Sequence, residues 1–298
     1  METVSLGGGV HVLRGAVNSG LVETERGLLA VDTGLDRGAA NRILRAAEAL
    51  GRPVVAILNT HAHADHHGGN AQLVRKLGIP VYAPAVEEAV IREPRYEGVY
   101  LFGGAEPVTA LTAKFLLAEP SPVDHVVRPG ETVTVDGRAL EIVDVAGHSL
   151  AQVGVRAGSV FFAADAFFGE EALAKHGVPY LVDAARMRRS LDVVAGVAAD
   201  WYVPGHGEPL ADPRAALDAN AAVLDRAFAW LVERLRNGAA GTEELLIGLA
   251  EAFGMRLDGP AAYVLNRAAL LGFLSSLERA GEARVAIEGG RWLWDAAG

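Results

Sequence analysis

The sequence predicts an α/β protein in which two β-sheets pack as a sandwich, covered outside by helices, with a helical appendage towards the C-terminal end. Short apolar runs rich in valine and isoleucine, bounded by Gly or Asp, recur in two sets, one before residue 85 and one after residue 130. Stretches with apolar residues at helical spacing accompany both sets, and beyond residue 212 the strand pattern gives way to long helical periodicity. Two such sets of strands bury their apolar faces on each other, which leaves the helices outside.

In chain order, "VHVL", "SGLVET" and "GLLAVDTG" read as strands, residues 37–50 as a helix and "VVAILNT" as a further strand, a β-β-β-α-β pattern over about residues 4–60. "NAQLVRKLG" (70–78) resembles a short helix ended by its glycine, and "IPVYAP" returns as a strand. Between about 87 and 129 the periodicity weakens amid prolines, glycines and aromatics. An irregular insertion of that length in a compact domain is functional or mobile, and it reads as a cover over a site. "ETVTVDG", "ALEIVDVAG", "AQVGVRAG" and "SVFFAADA" form the second set of strands, residues 180–197 read as helix, and "DWYVPGHG" (200–207) is one more strand running into a loop. Residues 213–298 hold three helical stretches and a terminal hairpin, a winged-helix-like pattern. The helix that would read a DNA groove carries only Arg267 and Arg279 as basic residues, so this part is expected to serve packing or a homodimer through its helices.

Of the 298 residues 51% are hydrophobic and 21% charged, which argues for a folded chain with a large core. A formal net charge of -10 disfavours nucleic acid and anionic membrane as partners and leaves a small molecule as the expected one. With no cysteine, any metal must be held by nitrogen and oxygen, and thiolate chemistry is excluded. The segment "METVSLGGGVHVLRG" has no leader-like apolar core and no apolar stretch reaches 18 residues, so a cytoplasmic protein is the expectation.

The chemistry concentrates in "HAHADHHGG" (61–69), at the end of the strand "PVVAIL". His61 and His63 lie two apart, so an extended backbone presents both on one side; if a helix starts there, Asp65 and His66 face a second position nearby. His67 is expected to take no part. His148, Asp165 and His206 each follow an apolar strand where the chain turns, so all three can converge on one sheet edge. The count gives His61, His63 and His148 for one metal, Asp65, His66 and His206 for another, and Asp165 between them. Asp32 also ends a strand, either as a carboxylate that receives a ligand histidine's other N–H or as a turn former with Gly34. His11, His125 and His176 have surface or loop roles as their default. Tyr96, Tyr100, Phe102, Lys175, His176 and Tyr180 are weaker candidates for substrate contact, with packing or exposure as the simpler role. There is no GxSxG elbow and no phosphate-binding glycine loop.

"HAHADH" at 61–66, "GH" at 147–148, the aspartate of "AADA" at 165, "PGHG" at 204–207 and "VDTG" at 31–34 together resemble the metallo-β-lactamase superfamily over about residues 5–210. The resemblance implies a four-layer αββα sandwich with the site at one edge between the sheets, a catalytic domain over 1–212 and a C-terminal domain over 213–298. It implies the same division of ligands, and two divalent ions, zinc first, with iron or manganese as alternatives. The complete set of five histidines and two aspartates resembles glyoxalase II-like hydrolases, lactonases and nucleases more than true β-lactamases, which typically lack the bridging aspartate. The sequence departs from the usual GH(S/T)PG at Leu150 and Ala151, which puts the shape of that loop in question. The leading expectation is a dinuclear metal-dependent hydrolase of a small ester, thioester or lactone, with a metal-bridging hydroxide as nucleophile and Asp65 both binding metal and orienting it. A phosphodiesterase or ribonuclease using the same two metals is the alternative, and a mononuclear iron enzyme resembling persulfide dioxygenases the second.

Overall fold

A computed structural model describes residues 3–297. β1 (Thr3–Gly7), β2 (Val10–Leu13), β3 (Ser19–Glu23) and β4 (Leu28–Val31) are followed by α1 (Arg37–Ala49) and β5 (Val54–Leu58). α2 (Ala64–His67) and α3 (Asn70–Leu77) lead to β6 (Val81–Pro84); α4 (Glu87–Arg92), α5 (Arg95–Leu101) and a 3-10 turn (Thr109–Leu111) precede β7 (His125–Val127). Then come β8 (Thr132–Val135), β9 (Arg138–Asp144), β10 (Val153–Ala157) and β11 (Val160–Ala164), with α6 (Glu170–His176) and α7 (Ala184–Gly196) before β12 (Trp201–Pro204). The remainder is α8 (Arg214–Arg236), the two-residue β13 (Ala240–Gly241), α9 (Thr242–Phe253), α10 (Pro260–Arg279), β14 (Ala283–Glu288) and β15 (Arg291–Ala296).

β1 to β7 form one sheet in sequence order, β12-β11-β10-β9-β8 a second, and β13-β15-β14 a small third. The twofold alternation of strand side chains sorts the core into layers. In β4, Leu29 and Val31 join Val155 of β10 and Phe162 of β11 between the two large sheets. Leu28 and Ala30 of β4 point the other way, against Ala40 and Ile43 of α1. In β11, Val160 and Phe162 face the first sheet, whereas Phe161 and Ala163 face outward to Met187 and Leu191 of α7. The result is the expected helix–sheet–sheet–helix stack.

Parallel pairing of β4 with β5 and of β11 with β12 puts their C-terminal ends side by side. β9 is antiparallel to β10, which is antiparallel to β11, so β9 runs with β11 and β12. Asp32, the His61 loop, His148, Asp165 and His206 all follow these strand ends.

Some expectations are corrected. β1, absent from the β-β-β-α-β reading, pairs with β2 through a turn of three consecutive positive-φ glycines, Gly7 to Gly9; with alternate residues exposed, it had too weak an apolar pattern to be recognised. The 87–129 stretch is not wholly irregular: it holds α4, α5 and β7, each too short to establish a period. α6 was likewise unforeseen. His11 is buried in β2, where its Nε2 lies 3.1 Å from Glu23 Oε1, rather than on the surface.

The helices after residue 212 share one continuous core with the outer face of the second sheet: Leu224, Leu231, Leu245 and Phe273 belong to the same buried cluster as Phe161, Phe167 and Met187. Phe273 stacks edge-on against Phe228 at 4.8 Å. Urea unfolding followed by circular dichroism and by tryptophan fluorescence should therefore give one coincident transition, and Phe273→Ala should lower its free energy by about 3–5 kcal/mol. Two separate transitions would mean that the C-terminal helices fold as an independent unit.

Candidate metal centre

The seven singled-out side chains meet at one edge of the sandwich. Three groups have potential ligand atoms within 4.8 Å of one another: His61, His63 and His148; His61, His66 and Asp165; and Asp65, His66 and His206. The groups overlap, so the seven form one continuous cluster. Asp165 reaches both sides, with His148 Nε2 at 3.3 Å, His66 Nε2 at 3.4 Å and His206 Nε2 at 3.4 Å from its oxygens. Asp65 Oδ2 lies 3.4 Å from His206 Nε2. His61, His66, His148 and Asp165 are buried, whereas His63, Asp65 and His206 are half-buried and open the cluster towards solvent.

Protein oxygens fix one ring nitrogen of four of the five histidines and leave the other aimed inward. His148 Nδ1 bonds the Tyr180 carbonyl at 2.8 Å, His206 Nδ1 the Ala16 carbonyl at 2.7 Å and His66 Nδ1 the Asp32 carboxylate at 2.8 Å. His61 Nδ1 is 3.1 Å from the Thr60 hydroxyl. The inward Nε2 atoms of His61 and His66 and the Asp165 Oδ1 are buried without hydrogen-bond partners, and His63 Nδ1 faces His148 Nε2 at 2.9 Å. Buried polar atoms left unpaired cost free energy, so this donor set fits cations that the histidines and carboxylates would share.

The electrostatics divide the same way. Burial, then the neighbouring imidazoles, lowers His61 far below the usual range, burial takes His63 down to about 3, and burial lowers His148. These rings are neutral; His61 Nε2 is unpartnered, and His148 Nε2 accepts from His63 Nδ1. At His66 burial is overcome by the charges of Asp165 and Asp32, and at His206 by Asp165, so that His66 is raised well above the ordinary range and His206 to about 10. Burial would likewise raise Asp165 and Asp65, but the surrounding imidazolium groups hold both carboxyls well below theirs. Protons thus occupy the half of the cluster that is richest in carboxylate.

Local structure explains the placement. α2 begins at His63, so His61 and His63 leave an extended segment and Asp65 and His66 the first helical turn. Asp32 has φ 56° and Ala164 φ 51°, strained positions just after and at the strand ends that carry the site. Asp32 accepts the Thr60 N–H at 2.8 Å and hydroxyl at 2.7 Å besides its His66 contact, so it acts on a site histidine and orders the loop at once. Gly205 admits no side chain: a Cβ would fall on the Asp165 carboxylate and 2.9 Å from the His66 ring. His67 stays outside the cluster but is buried, not solvated, and burial lowers it to about 4.

Sequence reasoning missed several neighbours. Val86, a β-branched residue at φ 76°, places Glu87 so that its carboxylate accepts Ala62 N–H at 3.0 Å, Ser149 hydroxyl at 2.7 Å and Ala151 N–H at 2.8 Å. Glu87 thereby ties the first histidine loop to the His148 loop, the place where the sequence departs from GH(S/T)PG. Asn18 donates to the Pro204 and Gly207 carbonyls at 2.9 and 2.7 Å and so frames His206. Glu97 of α5 is buried, and burial, then the Asp65 and Glu87 charges, pushes its carboxyl well above the usual range. Tyr180 lies against His63 and His148 at ring distances of 5.3 and 5.5 Å, its hydroxyl without a well-formed hydrogen bond. Glu97 lies on a seven-residue helix too short to establish a period, and Glu87 and Asn18 act across distances in sequence that no local pattern records. Tyr96, Tyr100 and Phe102 are partly exposed, with Tyr100 reaching in beside Glu97 and Tyr180, and Lys175 and His176 lie exposed on α6.

A sandwich of this layering with its histidines and aspartates at one sheet edge defines a class of protein, and the sequence agrees: residues 12–206 match the metallo-beta-lactamase superfamily, to which the chain belongs. A hydroxyacylglutathione hydrolase of Dechloromonas aromatica is 28% identical over 169 residues, 57% of this chain and 51% of that one. The chain spans about half the length of the curated relatives it matches. Two solved structures share the fold over nearly the whole chain. A metallo-beta-lactamase family protein from Thermus thermophilus has a TM-score of 0.75 at 23% identity, covering 98% of this chain and all of its own; a beta-lactamase domain protein from Burkholderia ambifaria has 0.77 at 18%, covering 99% and 95%.

Replacing Asp32 by Ala would strip partners from the buried Thr60 N–H and hydroxyl and from His66 at once. Chemical denaturation of the metal-free protein should register a loss of about 3–5 kcal/mol, against less than about 1 kcal/mol for Asp36→Ala at the exposed α1 cap.

Proposed function

We propose that this protein is a metal-dependent hydrolase of a small ester, thioester or lactone, with His61, His63 and His148 holding one divalent cation, Asp65, His66 and His206 a second, and Asp165 shared between them. The observation that carries the proposal is the set of inward, unpartnered donor atoms on both sides of Asp165. Nitrogen and oxygen donors without thiol suit zinc first, with iron and manganese as the other ions of matching chemistry. A pair of such cations, when bound, supplies a hydroxide at neutral pH and polarises a carbonyl.

The chain's own groups do the rest. Asp65, half-buried at the mouth of the cluster and held ionised, orients the attacking group by accepting a hydrogen bond from it. Tyr180, whose hydroxyl burial keeps protonated, has a donor to offer the substrate oxygen beside His63 and His148. Asp32, Ala16 and the Tyr180 carbonyl hold the rings in fixed tautomers. The relatives named hydroxyacylglutathione hydrolase favour a thioester within this class.

A phosphodiester substrate is disfavoured by charge. Three cations of the cover are engaged: Arg92 by the Val123 carbonyl and Glu88, Arg95 by Glu106, and Lys114 by Asp36 at 2.9 Å. Glu97 adds a carboxyl, not a cation, to this side of the site. Recognition of an RNA backbone calls for unpaired Lys and Arg.

Assay of the zinc-, manganese- and iron-loaded protein against an acyl-thioester, an aryl ester, a lactone and a phosphodiester should give turnover of an acyl compound. Activity confined to the phosphodiester would overturn the proposal. Asp165→Ala should lower metal content and activity by more than the roughly 10–100-fold that loss of an outer partner costs; normal activity would rule out its shared role.

Because His66 and His206 are raised and His61, His63 and His148 lowered, only the second position must shed protons to take up a cation at neutral pH. Titration calorimetry of zinc at pH 7.5, in buffers of differing ionisation enthalpy, should show proton release with one binding event and almost none with the other. Affinity at the proton-releasing position should fall as the pH is lowered.

A further inference from the structure

We infer that Ser276 and Arg279 of α10 are positioning residues for His148: they fix Asp183, and through it the turn 180–183 that orients the His148 ring. The inference rests on the metal-binding role of His148 proposed above. It gives the C-terminal part of the chain a share in the site, although α10 contributes no donor atom to it.

The contacts form an unbroken chain. Arg279 Nη2 donates to Asp183 Oδ2 at 2.9 Å and lies 3.3 Å from the Ser276 hydroxyl, which gives its own proton to the Gly272 carbonyl at 2.7 Å and stands 3.3 Å from the other Asp183 oxygen. The same hydroxyl accepts the Ala185 N–H at 3.2 Å. Asp183 caps α7 by accepting the Arg186 N–H at 3.0 Å. The N–H groups of Val182 and Asp183 both donate to the Gly147 carbonyl, at 2.8 and 3.0 Å, and His148 Nδ1 donates to the Tyr180 carbonyl at 2.8 Å. The peptide that carries His148 is thus held to this turn at two places, and the turn is held to α10.

Gly272 shows how closely the two elements fit. A Cβ there would stand 2.7 Å from the Leu181 side chain and 3.0 Å from the Val182 carbonyl. Gly147, at φ 130°, likewise has no room for a side chain against the backbone of Met187 in α7. With His148 Nε2 already 2.9 Å from His63 Nδ1 and 3.3 Å from Asp165 Oδ2, a shift of a few tenths of an ångström in the turn alters the ligand geometry directly. The Arg279–Asp183 pair is partly exposed and adds little to folding by itself, so its effect should appear at the histidine rather than in global stability.

The test compares Gly272→Ala, Ser276→Ala and Arg279→Ala with Arg267→Ala, which removes an exposed pair between α10 and Glu243 of α9, and with the conservative Arg279→Lys. Zinc binding to the metal-free full chain is measured by calorimetry, and the His148 Nδ1–H resonance by NMR of protein labelled with 15N-histidine. The first three variants should weaken one of the two zinc positions by roughly 10–100-fold and broaden the His148 Nδ1–H signal. Arg267→Ala should change neither, and Arg279→Lys should largely restore both. Wild-type zinc affinity and an unaltered resonance in Ser276→Ala and Arg279→Ala would overturn the inference. If Gly272→Ala does not fold, those two variants decide it. Should the wild type bind no zinc, the proposed function falls, while the resonance still decides whether α10 positions His148.

Discussion

Bringing five imidazoles and two carboxylates together at the rim of a β-sandwich is unfavourable unless something cationic sits among them, and the rest of the architecture answers to that constraint. Protein oxygens hold the outer nitrogens of His66, His148 and His206, and the Thr60 hydroxyl adjoins that of His61, so the inner lone pairs are aimed before any ligand arrives. Without a cation, protons at His66 and His206 balance Asp65 and Asp165, and His61, His63 and His148 stay neutral because burial leaves no room for more charge. The two halves of the cluster therefore differ in charge state as well as in ligand type.

Holding such a cluster needs a rigid frame, supplied by parallel strand ends. β4 and β5 in one sheet and β9, β11 and β12 in the other end on the same rim, and the cross-sheet core of Val31, Leu58, Phe162 and Val203 lies immediately behind them. Strain is concentrated at this rim: Asp32, Val86 and Ala164 are three of the four positive-φ residues other than glycine among those described. Each redirects the chain so that a carboxylate, its own or that of the following residue, enters the cluster or braces it.

The cluster was legible in the sequence because its signal is chemical and local: histidines two apart at a strand end, and single His or Asp residues just past apolar runs. The layer order was legible for a similar reason, since the unbroken apolar runs "LLAV" and "VFFAA" are what strands buried on both faces require. What was not legible depends on distance. Glu87 braces Ser149 and Ala151 from more than sixty positions away, and Asn18 holds the His206 loop from nearly two hundred. β1, α4 and α6 are too short, or too exposed on alternate residues, for any period to emerge. His67, beside the site, is enclosed by the fold, a burial that no pattern around it in the sequence records.

The cover carries a packing consequence. It rests on α10 through a small satellite cluster in which Leu101, Leu111 and Leu116 meet Tyr180, Val264 and Leu265, separate from the large cores of the sandwich. The middle of the cover rests on this small cluster, whereas Ile91 and Val123 nearer its two ends belong to the core beneath the first sheet. Tyr180 belongs both to that small cluster and to the wall of the histidine rings. The packing of the cover and the ring-bearing rim therefore share one aromatic side chain.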